Sequence, residues 1–282
     1  MLRIAIPNKG ALSEGAVAIA KEAGYSCKRS GRELSVIDHK HDIEFVYLRP
    51  RDIAIYVGNG TLDLGITGRD LAFDSQADVQ EVLPLNFGAS RFFYALPKEK
   101  DLTPDDLDGM RIATSYPAIV KEDMQKRGLK TTIVELDGAV EISIRLGVAD
   151  VIADVVESGR TLVEAGLKTV GEPIMLSEAI VIAHSKDILE NEQVKTLLKR
   201  FQGVLTARQN VMIEYDIDRT NLSKACALTP GVESPTVAPL SKDGWVAVKS
   251  LISGKGINST MDKLQSIGAK GIIVTDIKTC RL

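Results

Sequence analysis

The chain has 282 residues, 44% of them hydrophobic and 26% charged, a composition that excludes wholesale disorder. At ~150 residues per domain this length predicts two domains with room for a small third, each able to bury a core without covalent staples. Lys and Arg number 35 against 38 Asp and Glu, and the net charge of −3 argues against a general nucleic-acid binder while leaving room for a local basic pocket that takes a phosphorylated small molecule.

The opening Leu2–Ile6 is a β-rich run stopped by Pro7, too short for the core of a signal peptide. Pro7–Gly10 reads as a loop, and Ser13–Ala23 carries Ala16, Ile19, Ala20 and Ala23 at helical spacing before a stop at Gly24. Ser35–Ile37 and Glu44–Leu48 read as a strand pair joined by Asp38–Asp42. Arg51–Asn59 reads as a helix and Leu62–Thr67 as a buried strand. This alternation predicts an α/β unit with a largely parallel sheet.

A second α/β unit follows. Its predicted strands are Arg91–Leu96, Met110–Thr114, Thr132–Leu136 and Ala149–Val156, and its helices Thr103–Leu107, Pro117–Lys126 and Val140–Leu146. Ile180–His184 reads as a strand returning to the first unit. One sheet interrupted by another and then rejoined gives two lobes with a cleft, a common small-ligand site. Beyond the long amphipathic helix Glu190–Arg208, the tail reads strand Val211–Ile217, helix Asn221–Ala227, strands Ser234–Pro239 and Trp245–Leu251, helix Asn258–Ile267 and strand Gly271–Ile277. That is the βαββαβ, ferredoxin-like order. The expected division is 1–90 with 180–208 as a first lobe, 91–179 as a second and 209–282 as a separate domain.

No run approaches ~18 consecutive apolar residues, so no membrane span is expected. Cys27, Cys226 and Cys280 are odd in number and lack a Cys-x-x-Cys, which predicts neither a disulfide framework nor a structural zinc, and a reducing cytoplasmic setting. His39 and His41 read as a polar hairpin tip rather than a metal site. No Ser–His–Asp, HExxH, P-loop or GxGxxG pattern is present, which withdraws support from hydrolase, kinase and dinucleotide-binding readings.

The strongest chemical signal is Asp154-Val155-Val156-Glu157-Ser158-Gly159-Arg160-Thr161, an apolar strand running through an acid into a small-residue turn and a helix. Backbone N–H groups at such a turn favour an anion, Gly159 permits close approach, and Ser158, Arg160 and Thr161 add donors. Asp154 suits sugar hydroxyls. The bland alternative is an ordinary strand–turn–helix capped by Ser158. Lys9 lies between the first strand and first helix, where open α/β sheets bind ligands; its alternative is a solvated loop lysine. Arg49-Pro50-Arg51 presents two guanidiniums suited to a polyphosphate, or else a solvated charged turn. Asp70 lies in a glycine-bearing strand-to-loop segment. Glu141 opens a helix, where it either faces a ligand or stabilises the helix dipole.

Taken in order, Arg3–Gly10, Leu48–Ile53, Gly65–Asp70, Asp137–Glu141, Asp154–Thr161 and the tail segments Thr229–Gly231, Glu233–Thr236 and Thr275–Ile277 resemble the ATP phosphoribosyltransferase family in its long form. The resemblance covers essentially the whole chain. It implies a two-lobed, periplasmic-binding-protein-like catalytic unit, a C-terminal ferredoxin-like regulatory domain that binds histidine, Mg²⁺, and dimers that assemble into hexamers. It implies ATP and phosphoribosyl pyrophosphate as substrates. Asp154 and Ser158, Gly159, Arg160 and Thr161 would hold the ribose and its 5-phosphate, and Lys9, Arg49, Arg51, Glu141 and Asp70 would line the shared cleft. Asp216, Thr236 and Gly271 would meet inhibitory histidine. Arg51 departs from the family pattern, which often has Lys there; charge is kept while a point charge becomes a planar fork. Two other classes compete. A non-enzymatic solute binder shares the two-lobe pattern but, if secreted, calls for a signal peptide. Another phosphoribosyltransferase class calls for paired acids where Asp154 stands alone.

Overall fold

The structure, a computed structural model, describes residues 1–31, 33–156 and 159–281. Contacts divide the chain into two compact units, residues 1–18 with 26–192, and residues 19–25 with 193–282.

The first unit contains two lobes, each built on its own sheet. The first lobe begins with β1 (Leu2–Pro7), α1 (Gly10–Glu22), β2 (Ser35–Asp38), β3 (Ile43–Leu48), α2 (Pro50–Gly58), β4 (Leu64–Gly68), α3 (Arg69–Asp74) and β5 (Gln80–Pro84). The second comprises β6 (Ser90–Pro97), β7 (Arg111–Thr114), α4 (Pro117–Arg127), β8 (Thr132–Glu135), α5 (Ile142–Arg145), β9 (Val151–Val156), α6 (Arg160–Glu164) and β10 (Leu167–Ser177). The chain then returns as β11 (Ala179–Ala183) to the first sheet, whose order is β2-β3-β1-β4-β11-β5; the second is β10-β6-β9-β7-β8.

Neither sheet is largely parallel, contrary to the expectation from alternating elements. Strands reached through a helix run parallel: β1 with β3 and β4, and β7 with β8 and β9. Strands reached by the crossings between lobes run antiparallel: β11 with β4 and β5, and β6 with β9 and β10. A crossover helix is what brings a strand back in the same direction, and these crossings lack one. Three elements had no sequence expectation. Helix α3 has six residues, too few to show periodicity. Strands β5 and β10 lie at sheet edges, and β10 carries Gly171 and Pro173 where its register shifts between Val170 and Met175. An edge tolerates such residues, and they erase the alternation that marks a strand.

The core follows the apolar runs. Ile53 and Val57 of α2 pack on Ala5, Ile180 and Ile182 of the first sheet, and Val120 and Met124 of α4 pack on Tyr94, Ile112 and Val151 of the second. Each such fully buried aliphatic side chain contributes ~1.5–3 kcal/mol. Proline at N1 starts both α2 and α4, and α4 ends on Gly128 in the left-handed conformation, φ 71°.

In the second unit, α7 (Glu192–Gln209) leads into β12 (Asn210–Asp218), α8 (Leu222–Leu228), β13 (Thr236–Pro239), β14 (Trp245–Ser253), α9 (Ile257–Ser266) and β15 (Lys270–Asp276). The fully antiparallel order β13-β14-β12-β15 is the ferredoxin-like order expected of the tail. Ile213, Tyr215 and Ile217 alternate inward to a core shared with Ala225 and Leu264, which leaves Glu214 and Asp216 on the other face. Residues 193–209 of α7 fall in this unit together with the end of α1 and the residues after it: Arg208 pairs with Glu22 at 2.8 Å, and Phe201 meets Tyr25 edge to face. Among the described residues no helix is long and apolar enough to cross a membrane.

Candidate active site

Parallel pairing of β3, β1 and β4 places their C-terminal ends side by side, with Pro7 opposite Leu48. Lys9 follows β1, Arg49 follows β3, and Asp70 lies just beyond β4. Arg49 is the extended N-cap of α2 (φ −63°, ψ 136°), so Pro50 starts the helix and Arg51 falls in its first turn. A side chain at Gly68 would displace the Asp70 carboxylate. Asp70 is buried. Its Oδ1 accepts from the Ser177 hydroxyl at 2.8 Å and from the Leu71 N–H at 2.9 Å. Ser177 ends β10, so this bond ties the first lobe to the second.

The second lobe repeats the arrangement. Its parallel strands β7, β8 and β9 end at Thr114, Glu135 and Val156, and are followed by Tyr116, by Glu141 and by the turn entering α6. Tyr116 is the N-cap of α4, and the Arg51 guanidinium stacks over its ring at 4.8 Å. Gly159 caps α6 with φ 72°, a conformation that suits glycine.

Two pockets mark the cleft. One of about 240 Å³ has Lys9, Gly68, Asp70, Ser90, Tyr116 and Val155 in its wall, and so draws on both lobes. The other, about 300 Å³, is lined by Glu141, Asp154, Val155, Val156, Gly159, Thr161 and Leu162. Electrostatics connects them. Burial raises the Asp154 carboxyl above its ordinary range, and the Glu141 charge adds to the rise. The Val155 N–H and Arg51 of the other lobe oppose it. Burial also pushes the Tyr116 hydroxyl upward, reinforced by Asp70, Asp154 and Asp74 and opposed by Arg51. The Tyr116 hydroxyl thus feels acids of both lobes and the arginine stacked on its ring.

Of the residues expected from sequence, Lys9 and Asp70 share one pocket, and Glu141, Asp154, Gly159 and Thr161 share the other. Arg51 lines neither pocket but stacks on Tyr116 of the first and acts electrostatically on Asp154 of the second, and topology places Arg49 at the same edge as Lys9. Arg160 is exposed and donates to Glu164 at 2.8 Å without lining either pocket. Ser158 lies outside the described residues. Tyr116 and Asp74 were not anticipated. The one available signal was Tyr116-Pro117 immediately after an apolar strand, the pattern that flagged Arg49-Pro50.

His41 donates from Nδ1 to Asp38 at 2.8 Å within the β2–β3 hairpin, which fits its reading as a hairpin tip. No group of three or more His, Cys, Asp or Glu suited to a metal occurs among the described residues. In the second unit, Asp216 Oδ2 would stand 4.0 Å from a Cβ on Gly271, whose φ is 59°. Thr236 is on β13, across β14 from Glu214 and two positions along from the level of Asp216. The two strands lie two spacings apart, ~10 Å. A cavity of about 600 Å³ in this unit is lined by Asp262, Gln265, Lys270 and Gly271 among others, and does not include Asp216 or Thr236.

The family model for ATP phosphoribosyltransferase matches residues 49–203, and that for the HisG C-terminal domain matches residues 207–279. An ATP phosphoribosyltransferase of Salinibacter ruber is 56% identical over 283 aligned residues, covering all of both chains. One from Corynebacterium diphtheriae is 52% identical over 282, again covering both. A solved structure, the ATP phosphoribosyl transferase (HisG:HisZ) complex from Thermotoga maritima, aligns with a TM-score of 0.63 at 27% identity, over 73% of this chain and 98% of that one. With both of its parts matched and full-length relatives above half identity, this chain belongs to the ATP phosphoribosyltransferase family.

Proposed function

We propose that the chain transfers the phosphoribosyl group of phosphoribosyl pyrophosphate to N1 of ATP, giving phosphoribosyl-ATP and pyrophosphate, the first step of histidine biosynthesis. The observation that carries this reading is the cleft itself. Lys9, Arg49 and Arg51 stand at strand ends of one lobe, and Asp154, Gly159 and Thr161 stand at strand ends of the other.

Attack by N1 on the anomeric carbon builds positive charge on the ribose and negative charge on departing pyrophosphate. No nucleophilic side chain is needed; alignment and charge stabilisation suffice. In this reading Asp154 accepts from the ribose hydroxyls, and its carboxylate faces the developing positive charge. Ser158, Gly159, Arg160 and Thr161 hold the 5-phosphate. Lys9, Arg49 and Arg51 receive the pyrophosphate. Glu141 lies beside Asp154, and the repulsion between them suits a neighbouring cation. The donor set therefore fits Mg²⁺ carried mainly by substrate oxygens and water, with Glu141 and Asp154 as its nearest protein groups. Bound there, Mg²⁺ would neutralise pyrophosphate charge.

The two lobes form the catalytic unit of a cytoplasmic homo-oligomer, dimer to hexamer, and the ferredoxin-like domain binds histidine as feedback inhibitor. Asp216 beside Gly271 offers a carboxylate and an open backbone for a small zwitterion. Thr236, on β13, would add a hydroxyl contact. The test mixes pure protein with ATP, phosphoribosyl pyrophosphate, Mg²⁺ and pyrophosphatase and follows the absorbance of phosphoribosyl-ATP. Product that requires Mg²⁺ is expected; no product with fresh substrates refutes the reading.

A further inference from the structure

We propose that Asp74 is a positioning residue for the transfer: its carboxylate sets the place of the Arg51 guanidinium in the cleft while holding the start of α4 in the opposite lobe. The inference rests on the reading of Arg51 as a residue of the substrate cleft.

Asp74 is the last residue of α3, and its side chain is only 5% exposed. A carboxylate so placed needs partners, because burial disfavours its charge. Oδ2 accepts from Arg51 Nη1 at 2.9 Å, and Oδ1 accepts from the Ala118 N–H, also at 2.9 Å. The Ile119 N–H adds a weaker contribution. One side chain thus spans both lobes: Arg51 belongs to α2 of the first, and Ala118 to the first turn of α4 of the second. Arg51 is held on two sides, by Asp74 and by the Tyr116 ring that precedes Ala118. Its remaining N–H groups make no hydrogen bond among the described residues, so one corner of the fork is anchored and the rest is available to phosphate oxygens. A guanidinium tethered in this way loses less freedom on meeting its ligand than one on a mobile chain.

Helix α3 connects the lobes at both ends. Asp70 in its first turn takes the Ser177 hydroxyl, and Asp74 at its end takes α4. A purely structural latch at Asp74 needs only an acceptor for Ala118, whereas positioning Arg51 needs the charge. Asp74→Asn separates the two, since its amide oxygen still accepts from Ala118 while the ion pair is lost.

The experiment measures kcat at saturating ATP and phosphoribosyl pyrophosphate for the parent, Asp74→Asn, Arg51→Met and the double variant, with Tm for each. Loss of a charged hydrogen bond predicts a roughly ten- to hundredfold fall in kcat for Asp74→Asn, with Tm little changed. It predicts no further fall when Asp74→Asn is added to Arg51→Met. Parental kcat in Asp74→Asn, or the same fall in both backgrounds, overturns the proposal. Arg51→Met with parental kcat and KM removes Arg51 from the cleft reading, and the proposal with it.

Discussion

In the first lobe the residues beyond β1, β3 and β4 are Lys9, Arg49 and Asp70, with Arg51 in the turn that follows; in the second, those beyond β7, β8 and β9 are Tyr116, Glu141 and the Gly159–Thr161 turn. Both edges are C-terminal ends of parallel strands, the position at which open α/β sheets bind ligands. Their chemistry differs. The first presents cations on long side chains. The second presents Asp154, whose proton affinity is raised by burial and by the Glu141 charge, and Gly159 in the left-handed conformation at the start of α6. A substrate with a diphosphate at one end and a monophosphate on a ribose at the other matches that division. In the proposed reading the repeated α/β frame supplies two platforms, and a few residues at strand ends assign each its half of the ligand.

The largest effect is expected from the cationic edge. If Arg49 receives the pyrophosphate, Arg49→Ala removes a donor from developing negative charge, and such losses cost ~10²–10³ in kcat. Steady-state kinetics checks this, and a fall below fivefold, less than the ~1 kcal/mol of an ordinary hydrogen bond, would remove Arg49 from that role. At the other edge, Thr161→Val keeps shape and deletes one donor to the 5-phosphate. Phosphoribosyl pyrophosphate should then bind roughly ten- to a hundredfold more weakly by calorimetry. Unchanged affinity would leave Thr161 as a helix-start residue only.

Much of this division is legible in the sequence, because Lys9, Arg49, Glu141 and Asp154 each stand at or beyond the end of a short apolar run. The pairing between lobes is not. Arg51 meets Tyr116, and Asp74 meets Ala118, across 65 and 44 positions of chain. Such contacts depend on how two sheets close on one another, which no local pattern encodes. Strand β10 was missed for the converse reason: Gly171 and Pro173 break its alternation, and only its pairing with β6 defines it. Helix α7 reads as an amphipathic helix in any setting, so the unit against which it packs was not determined locally.

A smaller effect separates the two carboxylates of the second edge. Burial first, and then the Glu141 charge, raises Asp154. If the Asp154 carboxylate receives the ribose hydroxyls, affinity for phosphoribosyl pyrophosphate falls as pH drops through its raised pKa. Glu141→Gln removes the repulsion, so that limb should move to lower pH in a binding titration. A limb that stays in place would show that Glu141 does not act on Asp154.

The smallest effect lies away from the cleft, where β7 and β9 begin. Asp150 accepts from the Arg111 backbone N–H and side chain, which holds its carboxyl down at about 2. A folded-state pKa below that of the unfolded chain stabilises the fold above the unfolded value, ~3.9, and the gain is lost as pH falls toward the folded value. Asp150→Asn should therefore lower Tm modestly at neutral pH and progressively less below pH ~4. A Tm deficit independent of pH would assign the effect to packing.

The division of labour between the edges is tested most directly by calorimetry with the two halves of the substrate, ribose 5-phosphate and Mg²⁺-pyrophosphate, offered separately to the parent, Arg49→Ala and Thr161→Val. The account predicts that Thr161→Val weakens ribose 5-phosphate and spares pyrophosphate, while Arg49→Ala does the reverse. A single substitution that weakens both halves equally, or the opposite pairing of substitution and ligand, would contradict it.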